Sequence, residues 1–233
     1  MPTKRKLVVL SGAGISAESG LSTFRDSGGL WEGYDINKVA TPEGWIRDPE
    51  QVLNFYNLRR SQSCKAQPNK AHIGLVELES EFDVQVITQN VDDLHERGGS
   101  TKVLHLHGEL TKARSVNNEN LILDIGDKPI RLGDLASDGG QLRPHIVWFG
   151  EMVPKLEDAA KLVEQADILV VIGTSLVVYP AASLIHYASD NCKKYLIDPS
   201  NPELFSFEGW NHIKETATSG ISKLIQDLNT YYG

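Results

Sequence analysis

The stretch Leu7-Val8-Val9-Leu10-Ser11-Gly12-Ala13-Gly14-Ile15-Ser16-Ala17 decides the fold. Four consecutive apolar residues predict a strand that is covered on both faces, as in a parallel sheet. The strand runs into the pattern Gly-x-Gly-x-x-Ala. The glycines of this pattern allow a tight turn and the close approach of a pyrophosphate to backbone N–H groups. The stretch therefore predicts a strand, a turn and a helix at the start of an α/β unit.

Similar apolar runs recur along the chain and end in small or polar residues. They are Val84–Ile87, Ile168–Ile172 and Tyr195–Ile197. Apolar residues at helical spacing lie between or after them, in Ala71–Glu79, Leu156–Ala166 and Ile221–Leu228. Alternating strands and helices predict a Rossmann-like, doubly wound parallel sheet of the α/β class, with ligands at the carboxyl ends of its strands.

Two stretches interrupt this alternation. Residues 27–66 carry aromatic residues and helical patches but no clear strand, and residues 110–143 are polar. We expect both to be insertions that pack together into a smaller module. The predicted large domain then comprises residues 1–26, 67–109 and 144–233, and the predicted small domain comprises residues 27–66 and 110–143.

Composition narrows the class of protein. The 233 residues carry a formal net charge of −8, which argues against a general nucleic-acid-binding surface. No apolar run approaches the roughly 20 residues that span a bilayer. The apolar run Leu7–Leu10 is too short for a signal peptide. The two cysteines, Cys64 and Cys192, predict neither a disulfide framework nor a thiolate zinc site. A cytoplasmic protein without nucleic-acid or membrane partners is expected.

The glycine turn by itself leaves its function open. Glycines after a strand often make only a turn, and the acidic residue that follows about 20 residues later in dinucleotide-binding dehydrogenases has no convincing counterpart. Asp35 stands at that distance but belongs to an insertion. Arg25 could pair with a phosphate, or could form an ordinary surface ion pair with Asp26.

Two further patterns could form functional sites, and each also has a purely structural interpretation. The segment Val103–Gly108 alternates like a strand and places His105 and His107 on one face. These histidines could be metal ligands, could include an acid–base group, or could be structural. In a predicted helix, Tyr56 and Arg59 are three residues apart and share a face. They could bind a carboxylate, which arginine holds bidentately, or could form a surface pair.

Ordered motifs across nearly the whole chain resemble the sirtuins, specifically their bacterial class III type. The motifs are Gly12-Ala13-Gly14-Ile15-Ser16, Gly20-Leu21-Ser22-Thr23-Phe24-Arg25, Gly29-Leu30-Trp31, Ala40-Thr41-Pro42-Glu43, Thr88-Gln89-Asn90-Val91-Asp92, His107-Gly108-Glu109, Val147-Trp148-Phe149-Gly150-Glu151, Gly173-Thr174-Ser175 and Val178-Tyr179-Pro180-Ala181-Ala182. The resemblance implies a Rossmann-type domain, a small domain, and a cleft between them for NAD and an acylated lysine of a protein or peptide.

The resemblance also implies the reaction and its residues. The acyl oxygen attacks C1′ of the nicotinamide ribose, nicotinamide leaves, and hydrolysis yields free lysine and O-acyl-ADP-ribose. His107 is then the general base, and Asn90 and Asp92 line the ribose and nicotinamide pocket, although a strand-end turn would also use such residues. The implied NAD-binding residues are Gly12, Ala13, Gly14, Ile15, Ala17, Thr23, Phe24, Arg25, Trp31, Gln89, Asn90, Asp92, His107, Gly173, Thr174, Ser175, Leu196, Asp198 and Ala217.

In class III sirtuins, a tyrosine and an arginine at the spacing of Tyr56 and Arg59 bind the distal carboxylate of succinyl- or malonyl-lysine. The resemblance therefore implies desuccinylase and demalonylase activity beside deacetylase activity. The implied substrate-binding residues are Tyr56, Arg59, Val147, Phe149, Gly150, Glu151 and Val178.

The chain departs from the family in two places. Residues 110–143 contain no cysteine, and Ser115 stands about where the first zinc-binding cysteine is expected, so we predict no zinc. Leu196 replaces an asparagine that contacts the adenosine ribose in many relatives, and Asp198 could substitute for it. Two alternatives to deacylation remain, a protein ADP-ribosyltransferase and a non-catalytic sensor of NAD or ADP-ribose.

The departure at the zinc site leaves the second insertion to be held by other contacts. We expect apolar contacts to hold it together, and the residues expected to make them are Leu121, Ile122, Leu123, Ile125, Ile130, Leu132 and Leu135.

Overall fold

A computed structural model describes residues 4–23, 30–31, 34–200 and 208–232. Its largest element is a six-stranded, wholly parallel sheet in the order β11-β10-β9-β1-β4-β5. The strands are β1 (Lys6–Ser11), β4 (Asp83–Thr88), β5 (Val103–His105), β9 (Ile168–Ile172), β10 (Lys193–Ile197) and β11 (Trp210–Ile213). The predicted Rossmann-like doubly wound α/β fold is confirmed.

Strand β1 shows why its sequence has no polar alternation. Successive strand side chains point to opposite faces of a sheet. Leu7 and Val9 enter one buried apolar cluster, and Val8 and Leu10 enter a second. Both faces of β1 are covered, so every position along it favours an apolar residue.

Helices cover both faces of the sheet. Those of the doubly wound layers are α1 (Gly14–Ala17), α5 (Lys70–Leu78), α6 (Leu94–Gly98), α7 (Leu156–Glu164) and α8 (Ala217–Tyr232), with a 3-10 segment at Ala181–Tyr187. Residues of α5 and α8 enter the same apolar cluster as Leu7, whereas residues of α7 and the 3-10 segment enter the cluster of Val8. No helix in the described ranges is long and apolar enough to cross a membrane.

The two interrupting stretches form the remaining elements. The first contains the two-residue strands β2 (Leu30–Trp31) and β3 (Tyr34–Asp35), where no strand was expected, and the helices α2 (Ile36–Val39), α3 (Pro42–Arg47) and α4 (Pro49–Lys65). The second supplies most of an antiparallel sheet in the order β7-β6-β8, from β6 (Gly108–Ser115), β7 (Ile122–Asp124) and β8 (Leu142–Ile146). Leu53 of α4 packs with Ala113 and Ile130 of this part. The domain boundaries themselves stay a prediction.

The expected apolar core of the second insertion is only partly present. Ile130 is buried and Ile125 packs against its cluster. The side chains that we expected beside them and that the structure exposes are Ile122, Leu123, Leu132 and Leu135. The prediction for these four is wrong. Ile122 and Leu123 lie on β7, all of whose residues are exposed and which pairs, among the described strands, with β6 alone. Leu132 and Leu135 lie on the loop between β7 and β8 and are exposed there.

Hydrogen bonds from α4 compensate for this small core. The Asn57 amide donates to the carbonyl of Ile130 (2.8 Å) and accepts from its N–H (2.9 Å). The fully buried Arg60 donates to the carbonyls of Leu110 and Lys128. Burial lowers the pKa of this guanidinium to about 10.

A second set of hydrogen bonds surrounds Ser115, the residue near the expected position of a zinc ligand. Its hydroxyl donates to the Asp138 carboxylate (2.8 Å) and accepts from the N–H of Asn117 (3.1 Å). Asp138 also accepts from the N–H of Gly140 (2.9 Å). These hydrogen bonds join Ser115 to the loop that carries Asp138 and Gly140.

Candidate functional site

A cavity of about 690 Å³ opens at the carboxyl ends of the parallel strands. Residues that follow β1, β4, β9 and β10 line one side of it, and residues of α4 and of the segment after β8 line the other. The position agrees with the rule that open α/β sheets bind ligands outside the carboxyl ends of their strands. The cavity is therefore the candidate active site.

The glycine turn forms the floor of this cavity. The N–H of Gly14 donates to the carbonyl of Gly173 across the junction of β1 and β9 (2.8 Å). A Cβ at Gly14 would lie 2.8 Å from the Cα of Gly173, and a Cβ at Gly12 would lie 2.6 Å from the Cβ of Thr174. Both glycines are thus needed for backbone packing as well as for any approach of a ligand.

Three polar side chains below the turn form one hydrogen-bonded chain. Asn90 donates to the hydroxyl of Ser16 (3.1 Å), and Ser16 donates to the carboxylate of Asp92 (3.1 Å). Asp92 also accepts from the N–H of Leu94 (3.2 Å). Burial raises the pKa of the Asp92 carboxyl, although the hydrogen bonds from Leu94 and Ser16 oppose this effect. The chain holds an amide and a carboxyl at the cavity wall in defined orientations.

His107 stands beside this chain with its tautomer defined by its partner. Its Nδ1 lies 3.0 Å from the carbonyl oxygen of Gln89. A carbonyl only accepts, so Nδ1 carries the proton and Nε2 keeps its lone pair. Burial lowers the pKa of His107 below its usual 6.5, against the opposing effect of the Gln89 hydrogen bond. A neutral imidazole with an available acceptor nitrogen is suited to general base catalysis.

The aromatic end of the cavity is formed by α4 and Trp148. Tyr56 is fully buried, and its ring lies 6.5 Å from that of Trp148. The Tyr56 hydroxyl and the Trp148 indole N–H are both buried. The Trp148 side chain interacts with the Tyr56 hydroxyl by a hydrogen bond that opposes the rise in its pKa. Arg59 lines the same cavity and lies near enough to favour the ionised form of Tyr56, although burial dominates and raises the pKa of that hydroxyl. This end offers donors to an acceptor-rich ligand.

Glu151 also lines the cavity, but its carboxylate is already engaged. It accepts from Arg143 (2.7 Å), Arg114 (3.3 Å) and the N–H of Trp148 (2.8 Å). The Arg143 guanidinium in turn lies 3.3 Å from the centre of the Trp148 ring. Glu151 therefore helps to orient Trp148, and its contact with the substrate stays a prediction.

The cavity brings together most of the residues implied by the resemblance. Those that line it are Gly12, Ala13, Gly14, Ala17, Thr23, Tyr56, Arg59, Gln89, Asn90, Asp92, His107, Val147, Phe149, Gly150, Glu151, Gly173, Thr174, Ser175, Val178, Asp198 and Ala217. The side chains of Ile15 and Leu196 lie in the two apolar clusters of the sheet instead. Both side chains point into the core, so a contact with NAD at these two positions would come from the backbone, and their role in cofactor binding stays a prediction.

The structure does not describe the side chains of three residues that the resemblance implied. Phe24 and Arg25 lie outside the described residues, and of Trp31 only the strand backbone is described. The inference from residue patterns also missed three contributors, Ser16, Arg143 and Trp148. Ser16 and Trp148 stand inside quoted motifs, but Arg143 gave no local signal because its role depends on contacts formed only after folding.

Comparisons with known proteins agree with this geometry. Residues 12–180 match the Sir2 family. An NAD-dependent protein deacylase of Bacteroides thetaiotaomicron is 52% identical over 229 residues, covering 96% of this chain and 98% of the relative. One of Helicobacter pylori (strain J99) is 54% identical over 224 residues, covering 96% and 95%.

The solved structures show the same agreement. A Sir2 homologue solved as an NAD complex is 38% identical, with a TM-score of 0.86, covering 99% of this chain and 91% of that one.

Proposed function

This chain belongs to the Sir2 family, as an NAD-dependent protein deacylase, and we propose that it removes succinyl and malonyl groups, and also acetyl groups, from protein lysine. Nicotinamide and O-acyl-ADP-ribose are the proposed products. The observation that carries the acyl preference is the aromatic end of the cavity, where Tyr56, Arg59 and Trp148 lie together.

Charge and hydrogen bonding support a dicarboxylic acyl group. The Tyr56 hydroxyl and the Trp148 indole N–H are buried next to each other at this end of the cavity, and a hydroxyl that accepts from the indole keeps its own O–H to donate. A carboxylate can accept from the Tyr56 hydroxyl, while the Arg59 guanidinium supplies a positive charge in the fork geometry that carboxylates match. Acetyl-lysine offers no such acceptor at its methyl end.

The proposed chemistry assigns separate tasks to the remaining residues. NAD, bound as co-substrate, supplies the ribose carbon that the acyl oxygen attacks. His107 accepts the proton of a ribose hydroxyl at Nε2, because its Nδ1 proton is committed to Gln89. Asn90 and Asp92 hold the nicotinamide end, where an amide and a carboxyl complement the carboxamide of the leaving group. Val147 and Phe149 flank the peptide.

The cofactor site fits NAD without requiring a metal. The cavity is lined by the glycine turn at one end and by His107 and Asn90 further in. We propose that Asp198, buried at the end of β10 with one oxygen bonded to the N–H of Ser200 (2.8 Å), takes over the ribose contact in place of Leu196. We also propose a small domain without zinc.

The test compares acyl groups on one peptide in the presence of NAD. Mass spectrometry should show loss of the succinyl, malonyl or acetyl group with release of nicotinamide. Addition of ADP-ribose to the peptide would identify a transferase instead, and absence of turnover would identify a sensor. Either result would overturn the proposed function.

Two variants then test the carboxylate site. Arg59→Met removes the guanidinium, and Tyr56→Phe removes only the hydroxyl. Each charged hydrogen bond contributes about 1.5–3 kcal/mol, so we expect Arg59→Met to lower kcat/KM for succinyl-lysine by about 10–100-fold relative to acetyl-lysine. Arg47→Met, an exposed arginine at the end of α3, is the matched control for charge loss. An unchanged succinyl-to-acetyl ratio in Arg59→Met would overturn the acyl preference.

A further inference from the structure

A second histidine, His105, lies two residues before the proposed base, and both of its ring nitrogens make hydrogen bonds. Its Nδ1 lies 3.1 Å from the carbonyl oxygen of Asn90, and its Nε2 lies 2.8 Å from a carboxylate oxygen of Glu96. Only 8% of its side chain is exposed. No step assigned above uses this residue.

Its two partners determine its charge. The carbonyl of Asn90 and the carboxylate of Glu96 both accept hydrogen bonds and cannot donate. A neutral imidazole has one N–H and can satisfy only one of them, whereas an imidazolium satisfies both. In agreement with this geometry, the Glu96 carboxylate raises the pKa of His105 despite its burial, and the pKa of Glu96 is lowered.

The surroundings of His105 favour the same charge. Glu109 on β6 and Asp92 in the loop after β4 interact electrostatically with it, beside Glu96 on α6. Two basic residues are also near, and a positive charge on either would disfavour the imidazolium. Lys112 forms an ion pair with Glu109 (2.7 Å). Burial lowers the pKa of His95 on α6, so its imidazole is neutral.

The Asn90 carbonyl is one of two neighbouring carbonyls that receive an imidazole. His107 Nδ1 bonds to Gln89, and His105 Nδ1 bonds to Asn90. The loop after β4, which carries Asn90 and Asp92, is therefore held in place by the side chains of His105 and His107 in the adjacent segment. Displacing its backbone would move the amide and the carboxyl that line the cavity.

We propose that His105 is a positioning residue for the NAD pocket, held as an imidazolium by Glu96 so that its Nδ1–H fixes the backbone carbonyl of Asn90. This inference rests on the proposed use of Asn90 and Asp92 in binding NAD. His105 itself touches no reacting atom.

Two substitutions separate the hydrogen bond from the volume of the ring. His105→Asn places an amide N–H near the position of Nδ1 and keeps a donor to Asn90. His105→Gln is larger and reaches towards Glu96, but it places no donor at Nδ1. If the hydrogen bond matters, the smaller asparagine restores function better than the larger glutamine, which is the reverse of the order that packing alone predicts.

The measurements are the Kd for NAD by calorimetry and the KM for NAD and kcat with an acetylated peptide. We expect His105→Gln to weaken NAD binding about 10-fold, on the scale of one charged hydrogen bond, and His105→Asn to stay within about 3-fold of the parent. A rise in KM with little change in kcat is expected. Equal losses in both variants, or no loss in either, would overturn the proposal.

Glu96→Gln provides a second test that does not depend on turnover. Nitrogen-15 NMR of the histidine side chains should show both nitrogens of His105 protonated at pH 7 in the parent, and only Nδ1 protonated in Glu96→Gln. A neutral His105 in the parent would overturn the imidazolium assignment. Because calorimetry and NMR need no catalysis, a parent protein that binds NAD but does not deacylate would contradict the proposed function and leave this inference standing.

Discussion

Asn57→Leu is the substitution by which the hydrogen-bonded attachment of the second insertion can be tested most directly. Leucine has a similar volume but no polar atoms. Asn57 makes three bonds that the variant loses, two with the backbone of Ile130 and one from the Arg60 guanidinium (2.7 Å). Ile130 is only 2% exposed, so its N–H and carbonyl are left without partners in a mostly apolar site.

The expected cost follows from these three bonds. A buried polar group left unsatisfied costs about 1–3 kcal/mol. Asn57 itself is half-buried, so water reaches part of the site and the lower end applies. The free energy of unfolding should then fall by about 3 kcal/mol. For a chain of this length, about 1 kcal/mol shifts Tm by about 2–4 °C, so Tm should fall by roughly 6–12 °C.

The matched control is Asn54→Leu, on the same helix but exposed to solvent. It carries the same gain in helix propensity, so the difference between the two variants isolates the contacts of Asn57. Urea and thermal denaturation measure the global loss, and hydrogen exchange at the Ile130 amide measures local opening. If Asn57→Leu unfolds within about 0.5 kcal/mol of Asn54→Leu and the Ile130 amide stays equally protected, the reasoning is refuted.

Three other outcomes are expected. The acid limb of kcat/KM for NAD should have its midpoint below 6.5, because burial lowers the pKa of His107 and the base must be neutral; a midpoint above 6.5 in the pH–rate profile would contradict this role. Burial also lowers the pKa of His72 to about 4, so the unfolded state binds more protons between about pH 4 and 6.5 and stability falls as the pH falls, by up to roughly 3 kcal/mol. Urea denaturation at several pH values should show a smaller slope for His72→Gln, and an equal slope would exclude His72 as the cause. Dialysis against EDTA should leave Tm and activity unchanged, and metal analysis showing stoichiometric zinc would refute the zinc-free small domain.

Much of the large domain followed from local pattern. The apolar runs that became β1, β4, β9 and β10 were recognisable because a strand covered on both faces excludes polar residues at every position. The glycine turn and the polar residues after the strands could be placed at one edge, because the carboxyl ends of parallel strands meet there. The resemblance of ordered motifs then indicated His107 rather than His105 as the base.

The second insertion could not be predicted in the same way. Its apolar residues predicted a small core, yet Leu132 and Leu135 are exposed on the loop between β7 and β8. The groups that hold it, Asn57 and Arg60, lie on a helix more than fifty positions away from Ile130 and about fifty from Leu110. Which helix faces which backbone is decided by how the elements pack.

The stretch Leu7–Ala17, with the motifs that follow it, by itself determined the sheet, the glycine turn and the family. Periodicity and backbone freedom are properties of neighbouring residues and can be read along the chain. Only the tertiary structure decided that Glu151 is engaged by Arg143, that Leu196 points into the core, and that His105 faces two acceptors. Each of these depends on distances between residues far apart in sequence, and the packing of the elements sets those distances.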